Sequence, residues 1–181
     1  MNSRAKMLGM NGTVYTDCTG MGEGNVTTAN DTALLCSELA KYKNLTPYLT
    51  CWLDTVRDGK AELVNLNRLV RTYKGVTGMK AWGSEKAGSC IAATAEKGDM
   101  SVCVVLNGCD SQEDMNAEAK KLLNLAFDTY EIYTPELPED MVKETVVCGG
   151  EELSVELAPE GLYPIAVSYT HLRAHETSQD L

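Results

Sequence analysis

Two apolar runs, Cys90-Ile91-Ala92-Ala93-Thr94-Ala95 and Ser101-Val102-Cys103-Val104-Val105-Leu106, are separated by a short polar turn, Glu96-Lys97-Gly98-Asp99. Their shortness and the glycine between them predict an antiparallel hairpin of central strands, apolar on both faces. A sheet buried on both sides needs a helical layer on each. The sequence offers both layers. Ser111-Gln112-Glu113-Asp114 has capping-box form, and Met115, Ala119, Leu122, Leu123, Ala126, Phe127 and Tyr130 then recur at helical spacing. Thr28-Ala29-Asn30-Asp31 has the same form and opens a helix running to about Tyr42, with Leu35, Leu39 and Tyr42 on one face. The expected class is α+β, an antiparallel sheet between helical layers.

The remaining segments fit around that frame. Residues 1 to 10 read as a helix ending at Gly9, so that Met1 reads as an internal methionine and the chain as a fragment. Thr13 to Met21 is extended, and Gly20, Gly22 and Gly24 make a loop after it. A helical turn is expected at Leu45 to Leu49, and Asp58-Gly59 between two extended arms predicts a hairpin over Asp54 to Asn65. Pro135 and Pro138 break all periodicity and mark a linker over 134–145, after a first domain over 1–133. Residues 146–167, with Gly149-Gly150 as a turn, read as the truncated start of a small β module. Residues 168–181 show neither amphipathic period nor turn chemistry, and are set aside as a non-native read-through tail.

Composition removes several classes of function. A net charge of -10 leaves no basic face for nucleic acid. No apolar run reaches 18 residues and no secretory signal is present, so any membrane contact is expected only through a segment outside this chain. Both histidines, His171 and His175, lie in the tail, which excludes imidazole-based nucleophilic catalysis and imidazole metal ligands over 1–167. No cofactor or metal is expected. A serine assisted by a lysine survives the exclusion. The seven cysteines show no C-x-x-C pair and read as small apolar residues; their odd number suits a reducing or anaerobic setting. Asp31, Asp54 and Asp58 read as cap, turn or surface carboxylates, and Arg57 and Arg68 as surface pairing partners.

One cation stands apart. Lys80 lies in Gly75-Val76-Thr77-Gly78-Met79-Lys80-Ala81-Trp82-Gly83, on a short extended segment between glycines and before the first apolar run. This stretch, with Asn65-Leu66-Asn67-Arg68-Leu69-Val70 and Thr13 to Met21, resembles the serine-type penicillin-binding D-alanyl-D-alanine carboxypeptidases over Met1 to about Leu157. Those proteins carry Lys-Thr-Gly on a sheet-edge strand, Asn-x-Asn-x-Leu-Val before it, and Asn-Pro-x-Gly-Leu further upstream. The resemblance implies a β-lactamase/transpeptidase-like fold, cell-wall chemistry outside the cytoplasm, a peptidoglycan stem peptide as partner, and β-lactams as ligands of the full-length protein. It implies that Lys80 holds the substrate's terminal carboxylate, with Ala81 in the threonine position and the backbone N–H of Gly83 in the oxyanion hole. The family's Ser-x-x-Lys and Ser-x-Asn are assigned no counterpart here and are expected upstream, so the catalytic nucleophile is expected to lie outside this chain. Trp82 stands where the family has glycine. Strand alternation places its indole beside Lys80, unless a β-bulge turns it outward and moves Gly83 into the glycine position. A non-catalytic peptidoglycan-binding or scaffold relative is the alternative that Ala81 and Trp82 suit.

Overall fold

A computed structural model describes residues 1–20, 22–135, 143–146, 148, 154–157 and 163–168. The chain divides into two compact units, Met1–Asp128 and Thr129–Leu181.

The first unit opens with α1 (Asn2–Met7), which ends as expected: Leu8 caps it and Gly9 follows at φ +77°, a conformation only glycine adopts without strain. A loop leads back through a single bridge between Val14 and Val26. Asp17 organises this loop. Its carboxylate accepts hydrogen bonds from Thr19 Oγ1 and N at 2.7 Å, Gly20 N at 2.7 Å, Gly22 N at 3.1 Å and Asn25 Nδ2 at 2.8 Å. These donors, the Thr19 hydroxyl first and the Gly20 amide next, hold the carboxyl at a pKa of about 2. A carboxyl held below its unfolded value near 3.9 stabilises the loop above that pH and loses this contribution as pH falls toward about 2. In an acid titration followed by NMR, the amides of Gly20 and Gly22 are expected to stay shifted down to pH 3 and to collapse together below it; movement at pH 4 to 5 would contradict the assignment.

Helix α2 (Ala29–Ala40) starts where the cap predicts, with Thr28 Oγ1 accepting from Asp31 N. The reciprocal half of the box is absent. Asp31 is buried, at 4% exposure, and turns to the upstream loop, where it accepts from Gly12 N at 2.8 Å and Thr13 Oγ1 at 2.6 Å. The expected apolar face needs correction at its end: Tyr42 lies beyond the helix and is half exposed, while Cys36 is the apolar residue that α2 buries, with Leu39 and Ala40 beside it. Leu35 points instead toward α1, lining a small apolar cleft with Ala5, Leu8, Met10 and Tyr15.

A 3-10 turn (Lys43–Leu45) and α3 (Thr46–Leu49) lead into the hairpin of β1 (Leu53–Val56) and β2 (Ala61–Val64). Its turn is built as the Asp-Gly signal predicts, with Arg57, Asp58 and Gly59 all at positive φ. The Asn65-x-Asn67 segment then stitches the hairpin to α4 (Leu69–Thr72). Asn65 Nδ2 donates to the carbonyls of Leu49 and Cys51, Asn65 Oδ1 accepts from Asn67 N, and Asn67 Oδ1 accepts from Leu69 N.

Strands β3 (Val76–Ser84), β4 (Gly88–Lys97) and β5 (Met100–Cys109) form one antiparallel sheet in the order β3-β4-β5. The apolar hairpin is present, but only β4 is central among the described residues; β5 lies at one edge and β3 at the other. Helix α5 (Gln112–Thr129) covers one face, and its capping box is complete on the Ser111 side, with Asp114 N donating to Ser111 Oγ at 3.0 Å. Met115, Ala119 and Leu123 from α5 meet Leu69, Ala81, Ile91, Ala93, Ala95 and Val104 in the main core. Leu122 and Tyr130, expected on that apolar stripe, are exposed. On the opposite face α2 brings Cys36 against Met79, Ala92 and Cys103. The hydrogen bond between the two thiols pushes Cys103 up and Cys36 down in pKa, with burial adding to the rise at Cys103.

In the second unit, β6 (Tyr130–Tyr133) pairs with β9 (Ile165–Ser168), and β7 (Lys143–Val146) with β8 (Ser154–Leu157), both antiparallel. Most of the expected linker, the Gly149-Gly150 turn and residues 169–181 lie outside the described residues.

Candidate functional site

The site is built on β3, whose far edge has no strand partner among the described residues. Two glycines fix its path. A Cβ on Gly75, at φ +92°, would stand 2.5 Å from the Glu96 carbonyl oxygen, and one on Gly78 would stand 3.0 Å from Leu49 Cβ. The strand therefore lies tight against β4 and α3 before it reaches Lys80.

From Gly78 to Ser84 the pairing with β4 is continuous: Lys80 opposite Ala92, Ala81 opposite Ile91, Trp82 opposite Cys90 and Gly83 opposite Ser89. The regular alternation expected at Trp82 holds, and the alternative of a bulge there is absent. The strand's irregularity falls between Val76 and Gly78 instead, upstream of the lysine. Regular alternation consequently sets Lys80 and Trp82 on one face and Ala81 and Gly83 on the other. Both members of the first pair are exposed, Trp82 at 48%, and the Lys80 ammonium lies over the indole, 5.6 Å from its centroid. Lys80 takes part in none of the ion pairs among the described residues.

Ala81 has the opposite surroundings. At 3% exposure it packs in the main core beside Leu69 and Ile91, so a hydroxyl at this position would point into apolar side chains and away from the face that carries Lys80. Gly83 lines an open groove of about 460 Å³ with Trp82, Ser84, Glu85, Ser89 and Asp110. Lys80 is not part of its wall. A Cβ on Gly83 would stand 3.3 Å from the Gly88 carbonyl oxygen, close but not excluded, so the backbone here and not the missing side chain is what a ligand could use.

The remaining carboxylates and arginines are structural. Asp54 accepts from Thr55 N, Asp58 sits in the hairpin turn at φ 55°, Arg57 shares that turn, and Arg68 pairs with Glu113 at 2.9 Å on the surface. No cluster of three potential metal ligands occurs among the described residues, and no helix among them is long and apolar enough to cross a membrane.

The letters Ser-x-x-Lys do occur once, at Ser3-Arg4-Ala5-Lys6, which corrects the expectation that this spacing has no counterpart in the chain. The four residues lie on α1, and Ser3 and Lys6 are both exposed, with no hydrogen bond between them. A lysine that acts as base must reach the serine hydroxyl. This pair does not, and Ala5 is the residue of the four that the fold buries. Sequence reasoning also missed the work of Asp17, Asp31 and the two asparagines. Asp17-x-Thr19-Gly20 carried a signal, since an aspartate before Thr and Gly is a standard builder of local turns.

An antiparallel sheet between α2 and α5, with a lysine on the free edge strand, defines the β-lactamase/transpeptidase-like fold. Penicillin binding protein 5 of Haemophilus influenzae has that fold, at a TM-score of 0.80 and 22% identity, over 93% of this chain and 49% of that one. The sequence pattern of the D-alanyl-D-alanine carboxypeptidases matches residues 1–110, and the chain belongs to that family. It is 35% identical over 161 residues to the D-alanyl-D-alanine carboxypeptidase DacF of Bacillus subtilis, covering 87% of this chain and 41% of that protein. Penicillin-Binding Protein D2 of Listeria monocytogenes, solved in its cefotaxime-bound form, is similar at 27% identity and a TM-score of 0.63, over 70% of this chain and 53% of that one. The chain thus spans about two fifths to one half of the length of these relatives.

Proposed function

We propose that this chain is the carboxylate-binding part of a serine-type D-alanyl-D-alanine carboxypeptidase, which trims the terminal D-alanine from peptidoglycan stem peptides outside the cytoplasm. One observation carries the reading: an ammonium that joins no ion pair among the described residues, on the exposed face of a strand whose edge has no strand partner among them and can accept an extended peptide. Lys80 grips the C-terminal carboxylate by charge-assisted hydrogen bonds, roughly twice as strong as neutral ones. The backbone of Ala81 and Gly83 lies along the same strand, where an N–H can serve an acyl oxyanion regardless of side chain. The serine nucleophile and its lysine base belong to the part of the relatives' length that this chain does not span. A transpeptidase-like domain followed by a small β module is the proposed division, with the boundary near Thr129, where the two compact units meet in sequence, in place of the expected 1–133 and 134–145 bounds. β-Lactams, which mimic the peptide's end, are the expected covalent inhibitors of the whole protein.

Trp82 favours a second reading, a scaffold relative that binds wall peptide without cleaving it, because the indole occupies space beside Lys80 that the family leaves open. A labelled penicillin separates the two. The protein translated from the whole reading frame is expected to take up the label and to release D-alanine from a stem pentapeptide, while the 181-residue chain alone stays unmarked. Peptide binding by the whole protein with neither acylation nor D-alanine release would establish the scaffold instead.

A further inference from the structure

Of the two departures at the centre of the lysine motif, Trp82 in place of glycine has a geometric consequence. The register between β3 and β4 is regular at positions 80 to 84, so the residue that replaces glycine cannot turn outward, and its ring meets the lysine it follows by two positions. We infer that Trp82 is a specificity-determining latch on Lys80, which competes with a ligand's carboxylate for the ammonium. This inference rests on the reading of Lys80 as the carboxylate anchor.

The physical basis is the sign of the indole's charge distribution. The face of the ring is electron-rich, and this attracts the ammonium but repels an anion brought to the same spot. A carboxylate that pairs with Lys80 must therefore draw the ammonium off the ring or settle beside a face of its own sign. Lys80 has no carboxylate of its own among the described residues to hold it elsewhere, so the ring is the partner it leaves. An exposed cation–π contact is worth about 0.5–1 kcal/mol, which corresponds to roughly a two- to fivefold weakening of every carboxylate that uses Lys80. Weak anions are excluded first. A ligand with further contacts along the strand still binds.

The test is a double-mutant cycle on the 181-residue chain, with N-acetyl-D-alanyl-D-alanine as the probe and binding read by NMR at the lysine ε-methylene resonances. Trp82→Leu keeps an apolar bulk on the strand and removes the aromatic face; Trp82→Gly restores the family's residue and serves as a second variant. In the free chain the Lys80 ε-methylene protons are expected upfield of the other lysines, shifted by the ring, and to return to the common position in Trp82→Leu and on saturation with the probe. Trp82→Leu is expected to tighten binding about two- to fivefold, and this gain is expected to vanish in a Lys80→Met background. A merely structural role for the indole would not link the two substitutions in this way. Should Lys80→Met weaken binding while Trp82→Leu leaves it unchanged or weaker, the latch is wrong and the carboxylate anchor stands. Should Lys80→Met leave binding unchanged while the ring-shifted resonance is present, the anchor itself is wrong and the latch, having nothing to regulate, falls with it.

Discussion

Lys80→Gln, made in the protein translated from the whole reading frame, is expected to lower kcat/KM for D-alanine release by roughly ten- to a hundredfold and to leave the melting temperature within about a degree. The size follows from the bond removed: a hydrogen bond to a charged group contributes about 1.5–3 kcal/mol, and each 1.4 kcal/mol is a factor of ten. The unchanged stability follows from the position, because Lys80 is exposed and its ammonium lies over the half-exposed indole of Trp82 and joins no ion pair among the described residues. The amide of glutamine keeps a donor but loses the charge, so the charge is what the comparison isolates. Steady-state kinetics with a stem pentapeptide, beside a thermal melt of each variant, gives both numbers. A fall in activity that tracks a fall in stability would assign the lysine to the fold and not to the substrate.

Leu69→Ala is expected to have the largest effect on stability, about 2–5 kcal/mol. Leu69 is fully buried, in one cluster with Ala81, Ile91, Met115 and Leu123, and its amide is held by Asn67 Oδ1. Removing its side chain opens a cavity between α4, the back of β3 and α5, in a core where neighbours are already close-packed. For a chain of this length each kcal/mol lowers the melting temperature by roughly 2–4 °C, so a fall of about 4–20 °C is expected by calorimetry or circular dichroism. Leu122→Ala, on the exposed side of α5, serves as the contrast, with an expected change of no more than about 1 kcal/mol. Equal losses at the two leucines would contradict the assignment of the core. Because Leu69 and Ala81 share one core cluster, the loss of Leu69 is expected to loosen the strand that carries Lys80 and to lower carboxylate affinity along with stability.

Much of the frame was legible from local pattern. The apolar runs after Lys80, the cap at Ser111 and the Asp58-Gly59 turn each state their element in a few consecutive residues, and β4, α5 and the first hairpin form where those residues put them. The lysine strand was placed by resemblance as much as by pattern, since Gly75 to Gly83 alone would also suit a solvated strand. Errors arose where the decisive contact is distant in sequence. Periodicity could assign Leu35 and Tyr42 to one stripe of α2, yet only the presence of α1 beside Leu35, and of open surface beside Tyr42, decides their burial. Asp31 reads as a cap because its neighbours are on the page; its actual partners, Gly12 and Thr13, are nearly twenty positions upstream. The alternative of a bulge at Trp82 fails for a related reason. A strand's register is set by what it pairs with, and β4 offers Cys90 and Ser89 in unbroken step. Ser3-x-x-Lys6 shows the converse hazard, a catalytic spacing by letters on a helix where the two side chains do not meet.

The most direct test of the central claim is the structure of this chain in complex with N-acetyl-D-alanyl-D-alanine. A carboxylate oxygen of the dipeptide is expected within about 2.7–2.9 Å of Lys80 Nζ, with the peptide lying along the free edge of β3 and the ammonium drawn off the Trp82 ring. A dipeptide bound elsewhere, or bound along β3 while Lys80 stays stacked on the indole with no contact to it, would contradict the claim.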